Sequence, residues 1–231
     1  MVNIGGVKRT LFITGTDTGV GKTVVTALLA RDLVRRGACV AAFKPLCSGG
    51  RADARILHQA LGGGLTLDEI NPWHFRAPVA PLLAARREGK NVRLPEVTRH
   101  IRKIGKRFDL ILVEGAGGLM SPLGEGFDSL DLLAALKAEP VIVAANKLGV
   151  VNHVRLTLAA LPAGLRRSAK LVLVSPARGA ADAATGSNGK LLAEYLAPER
   201  IFALPWLGKE FDIAETGKRL AVSRDLIGLV K

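Results

Sequence analysis

Thr10-Leu11-Phe12-Ile13-Thr14-Gly15-Thr16-Asp17-Thr18-Gly19-Val20-Gly21-Lys22-Thr23 is the stretch that decides the reading of the chain. An apolar, β-branched run ends in a glycine-rich turn, and Lys-Thr then opens a helical pattern through Val24, Ala27 and Leu28. Strand, loop and helix in that order are the context in which such a loop binds phosphate. Glycines let successive N–H groups turn toward one anion, and the positive end of the helix dipole adds to the field. Gly19, Val20, Gly21, Lys22, Thr23 and Val24 are therefore the candidate phosphate cradle. Lys22 is placed to reach the β- and γ-phosphates of a nucleotide and the Thr23 hydroxyl to ligate Mg²⁺. The spacing is G-x5-G-K-T, with Thr16 where the usual motif has its first glycine. Asp17 stands where partition-type and nitrogenase-iron-protein relatives of this loop carry a second lysine, which argues against a nucleotide-sandwich dimer.

The totals bound the rest. With 231 residues, 48% of them hydrophobic, the chain suffices for one large globular domain, 1–231, with no internal repeat or linker. No apolar run approaches membrane-spanning length, and the N-terminal stretch lacks a signal-peptide core, so a cytoplasmic protein with no membrane partner is expected. Roughly 26 Å of extended chain would separate Cys39 from Cys47, too far for a disulfide. Both are expected to be reduced, Cys39 in or near the core and Cys47 in a loop. His58, His74, His100 and His153 are scattered, without metal-binding spacing.

Net charge is +13, and residues 86–107 supply +7 of it, with nine basic and two acidic side chains. Val97, Ile101 and Ile104 recur at helical spacing, so the basic residues fall on the outward face. No aromatics interleave for base stacking. Anionic metabolites and non-specific polyanions fit this face better than specific nucleic acid.

Along the chain, Val24 to Arg36 reads as a helix closed by Gly37. Cys39 to Phe43 reads as a buried strand delivering Lys44-Pro45-Leu46-Cys47-Ser48-Gly49 to the ligand-binding edge of a sheet. Helices are expected over Arg51–Leu61, Pro78–Lys90, Pro95–Arg107, Ser129–Lys137, Asn152–Leu161 and Lys190–Leu196, and near Val222–Val230. Further strands are expected over Asp109–Val113, Pro140–Ala145, Lys170–Val174 and Ile201–Leu204, and a mobile loop over Arg178–Gly189. Alternating strands and helices imply an α/β, single-domain, P-loop NTPase-like three-layer sandwich, its mainly parallel sheet covered by helices on both faces.

Three further groups narrow the chemistry. Glu114 ends the run Leu110–Val113 and opens Gly115-Ala116-Gly117-Gly118, where a metal-ligating or water-ordering acid belongs. Asp53 lies early in a helix. With Thr23 these supply hard oxygen ligands for Mg²⁺. Lys44 ends an apolar strand before Pro45 and adds positive charge where a phosphoryl group is transferred or a carboxylate docked.

Together with Asn71-Pro72, Lys147-Leu148-Gly149-x-x-Asn152-His153 and Pro205-Trp206-Leu207, these motifs resemble, in order from about residue 10 to 207, the ATP-dependent dethiobiotin synthetases. The resemblance implies a homodimeric ligase that makes dethiobiotin from 7,8-diaminononanoate, CO₂ and ATP·Mg²⁺, through a carbamate and its mixed anhydride with phosphate. It implies that Lys44 and Lys22 are catalytic and that Ser48 contacts substrate. It implies that Thr23, Asp53 and Glu114 hold metal and nucleotide, and that Gly115, Ala116 and Gly117 lie along the nucleotide. Gly149, Val150 and Asn152 would hold the substrate carboxylate from the neighbouring subunit. Ser175, Pro176, Pro205, Trp206 and Leu207 would surround the base. The family commonly has asparagine after the fifth strand; this chain has Ser175-Pro176, which removes an adenine-reading amide, while Trp206 offers an apolar wall. The alternatives weighed are a partition-type or other regulatory P-loop ATPase binding DNA through its basic surface, a glutamine-dependent amide synthase, for which 231 residues leave no room for a glutaminase domain, and a P-loop kinase for another metabolite.

Overall fold

The computed structural model describes residues 9–175, 184–208 and 226–230. Its strands are β1 (Arg9–Gly15), β2 (Val40–Phe43), β3 (Leu46–Ser48), β4 (Trp73–Phe75), β5 (Leu110–Gly118), β6 (Pro122–Gly124), β7 (Phe127–Asp128), β8 (Glu139–Ala145), β9 (Lys170–Val174) and β10 (Ile201–Leu204). Its helices are α1 (Lys22–Arg35), α2 (Ala52–Ala60), α3 (Leu67–Ile70), α4 (Pro81–Arg87), α5 (Leu94–Gly105), α6 (Ser129–Leu136), α7 (Val150–Ala160), α8 (Ala163–Ser168) and α9 (Asn188–Leu192). Short 3₁₀ turns lie at Pro198–Arg200 and Ile227–Val230.

Six strands form one sheet in the order β10-β9-β8-β1-β5-β2, and every pairing within it is parallel. β1 lies between β5 and β8, which explains its unbroken apolar run: Leu11, Phe12 and Ile13 are wholly buried. The chain leaves β1 toward β2 through α1, then returns across the sheet through α5 and α6. Right-handed crossovers in opposite directions place those helices on opposite faces. α5 and α6 touch each other, and α1 packs with α2 and the C-terminal 3₁₀ turn. The outward-basic reading of α5 holds: Val97, Ile101 and Ile104 are buried, while Arg99, Arg102, Lys103 and Lys106 are exposed.

Several local expectations change. β5 does not stop at Val113 but runs to Gly118. Ile13 pairs with Glu114, after which the register shifts so that Gly15 meets Gly118. Glycine permits that close passage: a Cβ on Gly115 would lie 3.1 Å from the Phe12 ring, and one on Gly117 2.4 Å from the Ser121 hydroxyl. Glu114 therefore sits inside a strand, not at its tip.

The cysteines exchange places. Cys39 is exposed just before β2, its Sγ 3.3 Å from the Arg107 carbonyl. Cys47 is buried in β3, which pairs in parallel with β4. Three-residue strands carry too little periodicity to be read ahead, as do the β6–β7 hairpin and the one-turn α3. Thr66 and Glu69 nonetheless form a capping box at α3. The helix foreseen from Lys190 begins at Asn188. α7 begins at Val150 after Gly149 in left-handed backbone, so Asn152 lies in its first turn. Of the expected Arg178–Gly189 loop, 178–183 lie outside the described residues, as do 222–225 of the expected last helix.

Candidate active site

The phosphate loop runs from β1 into α1 at the carboxyl edge of the sheet. Gly19 and Gly21 adopt φ of 73° and 99°, open to glycine and rarely to other residues. Thr16 N–H donates to the Val143 carbonyl at 3.0 Å, tying the loop to β8. A Cβ on Gly21 would stand 3.2 Å from Val174, so the loop also lies against β9. The Lys22 ammonium folds back over the loop and donates to the Asp17 carbonyl at 2.8 Å. Burial, and then the neighbouring Lys44, lower its pKa to about 8, against the pull of Glu114, Asp53 and Asp17.

Lys44 leaves β2 beside the loop and is almost wholly buried. Its Nζ donates to Glu114 Oε1 at 2.7 Å and to the Gly115 carbonyl at 2.8 Å, and lies 3.4 Å from Asp53 Oδ2. Burial alone would depress the ammonium, but Glu114, Asp53 and Cys47 together hold its pKa above the ordinary lysine value. Lys44 is thus a fixed cation at neutral pH. Glu114 Oε1 also accepts from the Thr23 hydroxyl at 2.8 Å, while its buried Oε2 has no partner among the described residues. A buried carboxylate oxygen without a donor is costly unless something else meets it. Thr23, Glu114 and the half-exposed Asp53 offer only hard oxygen donors, a set that can hold a small divalent cation together with phosphate oxygens.

A cavity of about 760 Å³ opens over these groups. Gly19, Gly21, Lys22, Thr23 and Val24 line it from the loop, Lys44 and Ser48 from the segment after β2, Asp53 from α2, and Glu114, Ala116 and Gly117 from β5. Ile56, Pro78, Val79 and Pro81 add apolar lining. The site is charged at one end and apolar along one side, suited to a chain-like molecule with polar groups at its head.

Not every candidate converges there. Val20 is buried beneath the loop, and Gly115 contributes its carbonyl to Lys44. Ser175 and the Pro205-Trp206-Leu207 stretch follow β9 and β10 at the same sheet edge, beyond β8, and do not line the cavity. Ser175 N–H donates to the Leu204 carbonyl at 2.9 Å. Pro176 lies outside the described residues. Gly149, Val150 and Asn152 stand at the start of α7, also away from the cavity.

Two groups near the site escaped the sequence reading. Cys47 lines the cavity, with its thiol pushed up to about 11 by burial, an effect that Lys44 opposes and Asp53 and Glu114 reinforce. Asn71, wholly buried, bonds to the backbone that carries Lys44. Asn71-Pro72 was visible as a motif, but no local pattern tells that the amide points at residues 44–45.

A glycine loop between a central parallel strand and a helix, with Lys-Thr at the turn and a carboxylate on the neighbouring strand, defines a P-loop nucleotide-binding protein. The AAA domain family model matches residues 9–209. The chain resembles in fold the MinD cell division protein of Aquifex aeolicus (TM-score 0.57, 16% identity, 96% of this chain and 95% of that one). It also resembles a ParA family ATPase from Chlorobium tepidum (TM-score 0.55, 15% identity, 96% and 92%). Those identities speak for the fold alone. ATP-dependent dethiobiotin synthetase BioD of Anaeromyxobacter dehalogenans is 39% identical over 218 residues, which cover 92% of this chain and 95% of that one. The Bacillus velezensis enzyme of the same name is 41% identical over 155 residues, 65% of this chain and 66% of its own. A Caulobacter relative, likewise so named, is 39% identical over 203 residues, 84% and 87%. The chain belongs to the ATP-dependent dethiobiotin synthetase family, and is therefore an ATP-using P-loop ligase.

Proposed function

We propose that this chain closes the cyclic urea of dethiobiotin from 7,8-diaminononanoate, CO₂ and ATP, releasing ADP and phosphate, as a step of biotin biosynthesis in the cytoplasm. The observation that carries the reading is that Lys22 of the phosphate loop and the fixed cation Lys44 line one cavity with Ser48. A neutral amine of the substrate adds to CO₂ and loses a proton, giving a carbamate. A carbamate oxygen attacks the γ-phosphorus and ADP leaves. The second amine attacks the carbonyl carbon of the mixed anhydride and expels phosphate, closing the ring.

Carbamate and triphosphate are both anions, so their approach needs positive charge. Lys22 and Lys44 supply it. Lys44 is held protonated by Glu114 and Asp53, which suits a charge stabiliser and not a base. Ser48 lines the same cavity and is read as the group that bonds the carbamate end, with the wall of Ile56 and Val79 taking the alkyl chain. Thr23, Asp53 and Glu114 would hold Mg²⁺, which when bound supplies further charge at the phosphates. The unpartnered Glu114 Oε2 supports that assignment.

We further read the chain as one domain that works as a homodimer. Leu148, just before α7, and Leu156, within it, lie on either side of Asn152 in the chain and are 78% and 61% exposed. An apolar surface next to Gly149, Val150 and Asn152 fits their giving the substrate carboxylate a site across a subunit interface. Ser175, Pro176 and Pro205-Trp206-Leu207 would flank the base. The DNA-binding alternative is no better supported: Asp17 is an exposed loop residue, not a second phosphate-reaching lysine. No helix among the described residues is long and apolar enough to cross a membrane.

Incubation with the diamine, ¹³C-bicarbonate and Mg·ATP, followed by mass spectrometry, tests the reaction. Dethiobiotin carrying one ¹³C is the expected product; a phosphorylated diamine without ring closure would instead favour a kinase.

A further inference from the structure

Lys44 and Ser48 stand on a segment that has left the main sheet: pairing between β2 and β5 ends at Phe43. Residues outside the cavity fix its turn. Lys44 N–H donates to the Ile70 carbonyl at 3.1 Å. Asn71 Nδ2 donates to the Lys44 carbonyl at 2.7 Å and reaches the Pro45 and Trp73 carbonyls at 3.3 Å each. The other end of that amide, Oδ1, accepts from Arg51 Nε at 3.1 Å. Arg51 Nη2 donates to the Asn71 carbonyl at 2.9 Å and the Leu67 carbonyl at 2.8 Å, and pairs with Asp68 at 2.8 Å.

Arg51 is also the residue immediately before α2, whose first turn carries Asp53. One guanidinium thus ties the helix bearing Asp53 to the turn bearing Lys44, and neither Arg51 nor Asn71 lines the cavity.

We propose that Arg51 and Asn71 are positioning residues for the ring-closing reaction, a paired latch that sets the Lys44 ammonium against the Asp53 carboxylate. The proposal rests on the reading of the site given above. A planar fork is needed because Nε and Nη2 engage the side chain and the backbone of Asn71 together, which a single ammonium cannot do. Reacting groups displaced by about 1 Å lose roughly a hundredfold in rate.

The test is Arg51→Lys in the full chain, with Arg51→Gln as a second variant should the first fail to fold. Three quantities are compared with wild type: thermal midpoint, steady-state kinetics, and the ¹⁵N resonance of the Lys44 ammonium, assigned through its loss in Lys44→Met. The expected result is a folded protein whose KM for ATP stays within about threefold while kcat falls ~10- to 100-fold. The Lys44 resonance should shift or broaden. A variant with unchanged kcat and an unmoved Lys44 signal would overturn the latch. So would a kcat loss matched by an equal loss of ATP affinity with that signal unmoved. Absence of dethiobiotin from wild type would defeat the ring-closing reading instead, and the ammonium resonance would still decide whether Arg51 positions Lys44.

Discussion

Lys44 Nζ and Glu114 Oε1 stand 2.7 Å apart, with side chains only 5% and 0% exposed. A charged pair this deep costs desolvation that its own attraction barely offsets, so its presence in the core calls for a functional reason. Lys44→Met should cut turnover severely, raising the barrier by roughly 2–4 kcal/mol, as loss of a preorganised donor does. It should also destabilise the fold by about 3–5 kcal/mol, because Glu114 is left buried and uncompensated. Lys44→Met/Glu114→Gln should recover much of that stability and none of the activity. Denaturant melts and turnover on the same preparations check both; near wild-type turnover in either variant would contradict the role of Lys44.

The two cysteines should differ in reactivity. Cys39 is exposed, whereas Cys47 is buried with a thiol pushed up to about 11. Thiolate is the nucleophile, so a raised pKa keeps Cys47 in its unreactive form throughout the neutral range, and its rate should climb only as the pH nears that value. At pH 7.5 iodoacetamide should label Cys39 at least ~10-fold faster than Cys47, as peptide mapping would show. Equal rates in folded protein would mean that the segment after β2 opens readily.

Base selectivity should be loose. An asparagine amide reads adenine with a donor and an acceptor together, a contact that discriminates by about 1–3 kcal/mol in nucleic-acid readout. The Ser175 hydroxyl suits almost any base, and Pro176 has no N–H. ATP, GTP and CTP should therefore give kcat/KM values within roughly one to two decades of one another. A preference for ATP beyond about a thousandfold, near 4 kcal/mol, would mean that another group reads the base.

A site shared between subunits should complement. Asn152→Asp and Lys22→Ala chains should each be inactive alone. After verified subunit exchange, each mixed dimer would contain one intact composite site, and up to about half the wild-type rate per mixed dimer should return. No recovery would place the substrate carboxylate within one subunit.

The fold and the chemical end of the site were legible because their signals are local. The Thr10–Thr23 run is a strand, a turn and a helix start in unbroken succession, and the Leu110–Val113 run announces a buried strand. What was not legible depends on distance in sequence. Glu114 lies within β5 because Ile13, 101 positions earlier, pairs with it. Asn71 matters because its amide meets residues 44 and 45. Cys47 is buried because β3 pairs with β4, whose three residues give no periodic signal. The apolar wall at Ile56, Pro78 and Val79 comes from separate elements whose meeting no spacing reveals.

The central claim is that ATP activates a carbamate. Supplying the diamine and Mg·ATP with CO₂ doubly labelled with ¹⁸O, over times short against isotope exchange with water, tests it most directly. In the proposed sequence a carbamate oxygen attacks the γ-phosphorus and departs with it when the ring closes. The phosphate released should therefore carry one ¹⁸O, and the urea carbonyl of dethiobiotin the other. Unlabelled phosphate alongside labelled dethiobiotin would show that ATP is hydrolysed apart from the carbamate, and would contradict the account.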